Sequence, residues 1–190
     1  LGDVYKRQTV HLAADLLSQA EHDPRARAIM VTTSESLANA VSDEVERQLK
    51  LLPRESIARP AIENNSYIAV MDSVEDMFTV MNEVAPEHLE IQLPDPMGYM
   101  SLVQNAGSVF LGAYASEPLG DYVGGTNHVL PTSGTARFSS PLGVYDFVKR
   151  TSFTQFTKER LEEVATHITT LARTEGLEAH ARAIEVRFEK

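Results

Sequence analysis

Glutamate and histidine stand side by side at Glu87 and His88. A carboxylate next to an imidazole can share proton-transfer work, because both titrate near neutral pH once their surroundings shift them. The pair follows Ala85-Pro86, where a helical pattern gives way to a strand. Successive strand residues face opposite ways, so both can reach one cleft only if the regular strand starts after them. A polar turn would read the same way. Gln19 and His22 lie three apart at the end of a helical pattern and so leave from one face, where they could converge on a metal. Polar residues at that spacing also occur on ordinary exposed helix faces.

Two further clusters complete the inventory. Gly120 to His128 (GDYVGGTNH) joins a flexible backbone to an acid, an amide and an imidazole, without the strand-turn-helix pattern of a dinucleotide site. Glu175 precedes a glycine break, and His180 lies one turn into the last helix, an arrangement that helix-terminal charge also explains. Together Gln19, His22, Asp121 and His180 offer two nitrogens and two oxygens, a set suited to zinc, cobalt or manganese. Spacing alone does not bring them together. Of the remaining histidines, His11 and His167 read as solvent-facing.

Composition narrows the chemistry. The 190 residues contain no cysteine, which excludes thiolate nucleophiles and thiolate zinc sites. The net charge of −10 comes from 27 acidic against 17 basic residues, and the basic ones are scattered, which argues against nucleic acid or an anionic membrane as partner. Apolar runs such as Ile68 to Met71 are far below the roughly 18 to 20 residues a membrane span needs. A cytoplasmic location is the default expectation.

The elements that must position these groups alternate. The spacing of Leu12, Ala13, Leu16, Leu17 and Ala20 predicts a helix from Val10 to Ala20. Ala28 to Thr32 and Tyr67 to Met71 read as buried strands. Helices are expected from Ser34, as cap, to Leu52 and from Ser73 to Val84. His88 to Leu93 alternates polar and apolar, Ser108 to Leu111 is a further short apolar run, and Gly120 to Thr135 reads as a long loop. Helices over Lys158 to Arg173 and Ala179 to Arg187, broken by Gly176, close the chain with apolar faces that need a partner surface. The expected fold is α/β: an incomplete Rossmann-like, mainly parallel sheet flanked by helices, with a C-terminal helical tail. Residues 1–8 read as a leader foreign to the fold, 9–142 as a partial α/β domain, and 143–190 as the helical tail and dimerisation segment.

Five blocks, DLLSQAEHD (Asp15 to Asp23), APEHLEI (Ala85 to Ile91), GDYVGGTNHVLPTSGTARF (Gly120 to Phe138), VYDFVKRTS (Val144 to Ser152) and EGLEAHA (Glu175 to Ala181), closely resemble the histidinol dehydrogenase family, in the family's order. The resemblance implies oxidation of L-histidinol through an aldehyde to L-histidine, in two NAD-dependent steps. It makes Gln19, His22, Asp121 and His180 zinc ligands, with Mn2+ or Co2+ as substitutes, and Glu87 and His88 the acid-base pair. His128 and Glu175 become substrate contacts, alongside the ligands and the Glu-His pair. It further implies a homodimer whose C-terminal helices reach the partner. NAD contacts and a substrate-touching serine would lie upstream of DLLSQAEHD, so the isolated chain is expected to be inactive. The competing expectations are a relative acting on another polar alcohol and a non-catalytic fragment that binds metal or dimerises. From the residues alone, a metal-dependent hydrolase using Glu87 and a bound water is a further reading.

Overall fold

The computed structural model describes residues 2–189, and the side chains of residues 8–189. Two compact units divide between Phe147 and Val148, whereas the sequence pattern put the boundary at 142/143. The expectation of a foreign leader over residues 1–8 falls largely on Leu1 and on side chains outside the described residues. The backbone from Gly2 is already helical, in α1 (Gly2–Ala20).

Helices and strands alternate through the first unit: β1 (Ile29–Thr32), α2 (Glu35–Leu49), α3 (Glu55–Asn65), β2 (Tyr67–Val70), α4 (Val74–Val84), β3 (His88–Ile91), a 3-10 helix (Pro96–Leu102), β4 (Ser108–Leu111) and α5 (Glu117–Tyr122). All the strand pairing is parallel, as the alternation requires. It forms two separate two-stranded sheets, however, with Ile29 opposite Tyr67 in one and His88 opposite Ser108 in the other. β2 is also less buried than its apolar run suggests, since Tyr67 is 63% and Val70 46% exposed.

Local chemistry sets the helix ends. The Ser34 hydroxyl accepts from the Leu37 N–H at 3.2 Å and starts α2, and Ser73 does the same for Asp76 at the start of α4. α4 stops at Ala85, which turns into the left-handed region at φ 50° before Pro86. That conformation costs an L-residue about 1–2 kcal/mol and is held here because proline forbids further helix. α3 has no counterpart in the expected elements. It contains Pro60, which removes one backbone bond, and beside it Arg59 bridges Glu55, Glu46 and Glu63 at 2.6, 3.1 and 3.2 Å.

Two apolar clusters fill the unit. In the first, Ala13, Leu17 and Ala20 of α1 meet Val41, Val45 and Leu49 of α2, Ala58 and Ala61 of α3, and Met30 of β1. In the second, Leu89 and Ile91 of β3 pack with Val109, Leu111, Phe78 of α4 and Tyr99, the Phe78 and Tyr99 rings stacking at 5.8 Å. Strand alternation therefore turns His88 and Glu90 to the opposite face of β3, with their register partners Ser108 and Phe110.

In the second unit, α6 (Lys158–Thr174) is capped by the Thr157 hydroxyl and reverses at Gly176, φ 75°, into α7 (Glu178–Glu185). Thr169 and Ala172 of α6 and Ala181 of α7 are buried, and Arg173 clamps the pair through Glu178 and Glu185 at 2.9 and 2.8 Å. Leu171, expected on the apolar stripe, is 65% exposed.

Leu49 is fully buried, so Leu49→Ala should cost about 2–5 kcal/mol in urea unfolding, against less than about 0.5 kcal/mol for Leu51→Ala at a 69% exposed position. Equal costs for the two would place the first core elsewhere.

Candidate functional site

α1 carries two stripes. While its apolar residues enter the first cluster, Gln8, Asp15 and Gln19 meet the polar face of β3. Gln19 Oε1 lies 3.3 Å from His88 Nδ1, the Gln92 amide donates to Asp15 at 2.8 Å and to Glu90 at 3.0 Å, and the Gln8 amide donates to the Gln92 carbonyl at 3.4 Å. Asp15 and Gln19, about 6 Å apart along α1, face Glu90 and His88, about 6.6 Å apart along β3, which fixes how helix and strand slide against each other.

β3 begins at His88 itself, one residue earlier than the sequence argument required, and Glu87 sits in the bend before it. Gly107 and Ser108 donate to the Pro86 and Glu87 carbonyls at 2.9 Å each, so this bend is pinned to the start of β4. Both side chains are half-buried. Burial raises the Glu87 carboxyl above its ordinary range, the nearby Asp121 charge raises it further, and His22 draws it back. Burial lowers His88, against an upward pull from Asp121 and with a further downward push from His22. His88 is thereby favoured in its neutral form, the form that can accept a proton.

α5 brings the remaining acids. Ser116 and Pro118 open it, and Glu117 and Asp121, four apart, share one of its faces. Asp121 thus lies in the last turn of a short helix instead of in the loop expected from Gly120 onward. Gly120 fits against the Phe110 ring, where a Cβ would come within 2.8 Å of a ring carbon. Phe110 in turn lies 6.1 Å from the His88 ring. Among the described residues, ligand atoms of His88, Glu117 and Asp121 lie within 4.8 Å of one another. One imidazole nitrogen and two carboxylates, with the Gln19 amide oxygen beside the imidazole, form a donor set that fits a borderline divalent cation.

The expected residues are therefore only partly gathered. Gln19, His22, Glu87, His88 and Asp121 share one neighbourhood in the first unit. His128 is exposed in the segment after α5, and Glu175 and His180 are exposed in the second unit, at the end of α6 and in α7. His167 faces solvent as expected, whereas His11 is half-buried. Glu117, 7% exposed, is missing from the sequence reading. The signal available for it was E-P-L-G-D after serine: a helix opening on Ser116 and Pro118 with carboxylates one turn apart. Glu90 escaped too, because a single acid in a strand carries no spacing signature.

A parallel α/β unit that lines one strand face with an imidazole and carboxylates has the makings of a metal-assisted enzyme centre. The histidinol dehydrogenase family profile matches residues 5–188. Proteins named histidinol dehydrogenase from Lactiplantibacillus plantarum and Streptococcus mutans are 69% and 61% identical over 94% and 95% of this chain. A crystal structure of histidinol dehydrogenase from Elizabethkingia anophelis superposes with a TM-score of 0.82 at 40% identity over 95% of the chain. The chain belongs to the histidinol dehydrogenase family. It spans 42% of the length of each of these relatives. No described helix is long and apolar enough to cross a membrane.

Burial and the charge of Asp15 push the Glu90 carboxyl up to about 7. A folded-state value above the ordinary 4.5 means that the stability linked to this proton is full below about 4.5 and is lost as pH rises through about 7. In metal-free buffer the melting temperature should fall over that window, and Glu90→Gln, which keeps an acceptor for the Glu117 N–H, should reduce the fall by a few degrees in calorimetry. Parallel profiles for the two proteins would remove Glu90 from this linkage.

Proposed function

We propose that this chain supplies the metal-binding and proton-transfer part of an L-histidinol dehydrogenase, which oxidises L-histidinol through the aldehyde to L-histidine in histidine biosynthesis, two NAD molecules each accepting a hydride. The observation that carries this reading is the meeting of His88, a half-buried imidazole favoured as the neutral base, with Glu87, His22, Gln19 and Asp121. An all-nitrogen-and-oxygen donor set without cysteine supports zinc, with manganese or cobalt as substitutes.

Gln19, His22 and Asp121 act as ligands from the first unit and His180 completes the set. A divalent metal held by these four residues would supply a template that orients the substrate's alcohol carbon for loss of hydride. His88 takes the hydroxyl proton in the first oxidation and a proton of the hydrated aldehyde in the second. Glu87, raised by burial and by Asp121, helps activate the water that forms that hydrate. His128 and Glu175 contact the substrate. The active form is a homodimer in which His180 and Glu175 complete the partner's site, a reading supported by their exposure in a small helical unit.

The test uses a chimaera in which this chain replaces the matching part of the Lactiplantibacillus relative. His88→Asn should lower the turnover number by roughly 10² to 10⁴ with metal content unchanged, and an unaltered turnover number would exclude His88 as the base. Mixing His88→Asn with His180→Ala subunits should restore part of the activity, since one of the two sites in a mixed dimer is then intact. No recovery after verified subunit exchange would place His180 in its own subunit's site.

A further inference from the structure

Glu117 offers a ligand atom beside that of Asp121, yet the proposed ligand set and acid-base pair leave its carboxyl without a role. It is 7% exposed, while Asp121, one turn later on the same face of α5, is exposed. Ligand atoms of the two residues lie within 4.8 Å of each other and of His88, and the two carboxyls are hydrogen-bonded. The Glu117 backbone N–H donates to Glu90 Oε1 at 3.0 Å, which ties the first residue of α5 to the same strand face that carries His88. An exposed aspartate on a short helix is free to change rotamer. A buried neighbour that grips its carboxyl removes that freedom before any ion arrives.

From this geometry we propose that Glu117 is a positioning residue of the metal centre: anchored on β3 through Glu90, its buried carboxyl fixes the Asp121 side chain, and Asp121 alone of the two bonds the ion. The inference rests on the reading of Asp121 as a metal ligand. Burial supports the division of labour, since Glu117 lies on the inner side of the pair and Asp121 on the side open to solvent and ligand.

The experiment titrates the full chain with Zn2+ by calorimetry and with Co2+ by visible absorption, comparing Glu117→Gln, Glu117→Met and Asp121→Ala. Glutamine keeps the shape and can donate an amide N–H to Asp121, so Zn2+ affinity should stay within about threefold and the Co2+ bands should be unchanged. Methionine keeps the volume without the hydrogen bond, and affinity should fall by about 10- to 100-fold, the usual effect of removing a ligand's supporting partner. Glutamine weakening binding as much as methionine, with altered Co2+ bands, would make Glu117 a direct ligand and overturn the proposal. Methionine binding like the parent chain would overturn it as well. Asp121→Ala distinguishes the two levels: if it binds normally, the metal-centre reading fails and takes this inference with it, whereas loss in Asp121→Ala beside normal binding in Glu117→Met sinks the inference alone. The isosteric glutamine variant keeps the test decisive should the methionine variant not fold.

Discussion

The packing of α1 is the constraint on which the rest of the first unit depends. One side of this helix buries Ala13, Leu17 and Ala20 against α2, α3 and β1, and the other lays Gln8, Asp15 and Gln19 along β3. Burying Leu17 is worth about 1.5–3 kcal/mol, more than the roughly 0.5–1.5 kcal/mol net of a single hydrogen bond such as Gln19 to His88. The apolar stripe therefore holds the helix in place, and the polar stripe decides its register. Because both stripes belong to one rigid rod, the candidate site inherits its alignment from a hydrophobic core in which it takes no part.

The polar side of that arrangement is costly. Beside His88, five carboxyls interact with one another: Glu87, Glu117 and Asp121, with Glu90 and Asp15 next to them. Two carboxylates about 4 Å apart in a half-buried setting repel by on the order of 4 kcal/mol, more than the Gln92 amide can offset by donating to Asp15 and Glu90. Among the described residues, the buried side-chain amide oxygen of Gln92 has no hydrogen-bond partner. Proton uptake at Glu90 and Glu117 relieves part of the repulsion, and a divalent cation would relieve more. The first core tolerates the strain because nothing charged enters it.

Much of this was legible in the sequence. The stripe of α1, the caps of α2 and α4 and the alternation toward parallel strands are local patterns, and the structure bears them out. The Glu87-His88 pair and the Gln19-His22 pair were visible as residue types, and both stand near Asp121. What escaped depends on tertiary context. α3 hides behind Pro60, which reads as a helix breaker in the local pattern. β2 looks buried by composition, yet both its ends, Tyr67 and Val70, are exposed. Glu90 and Glu117 are single acids whose importance comes only from the folding of α1 and α5 onto β3. One incomplete, mainly parallel sheet was expected and two two-stranded parallel sheets are found, since local apolar runs identify strands but not which strands become neighbours.

Gly120 has a consequence for how α5 and β4 tolerate change. Its hydrogen atom is all that separates the helix from the Phe110 ring, and Asp121 is the next residue. The thickness of the side chain at position 120 acts as a spacing gauge: a methyl group there would lift the helix away from the ring, and the reach of Asp121 toward His88 would lengthen with it. Phe110 sets the same gap from the other side. The distance between the acid and the imidazole is thus a joint property of a glycine and a phenyl ring, neither of which has any chemistry to perform.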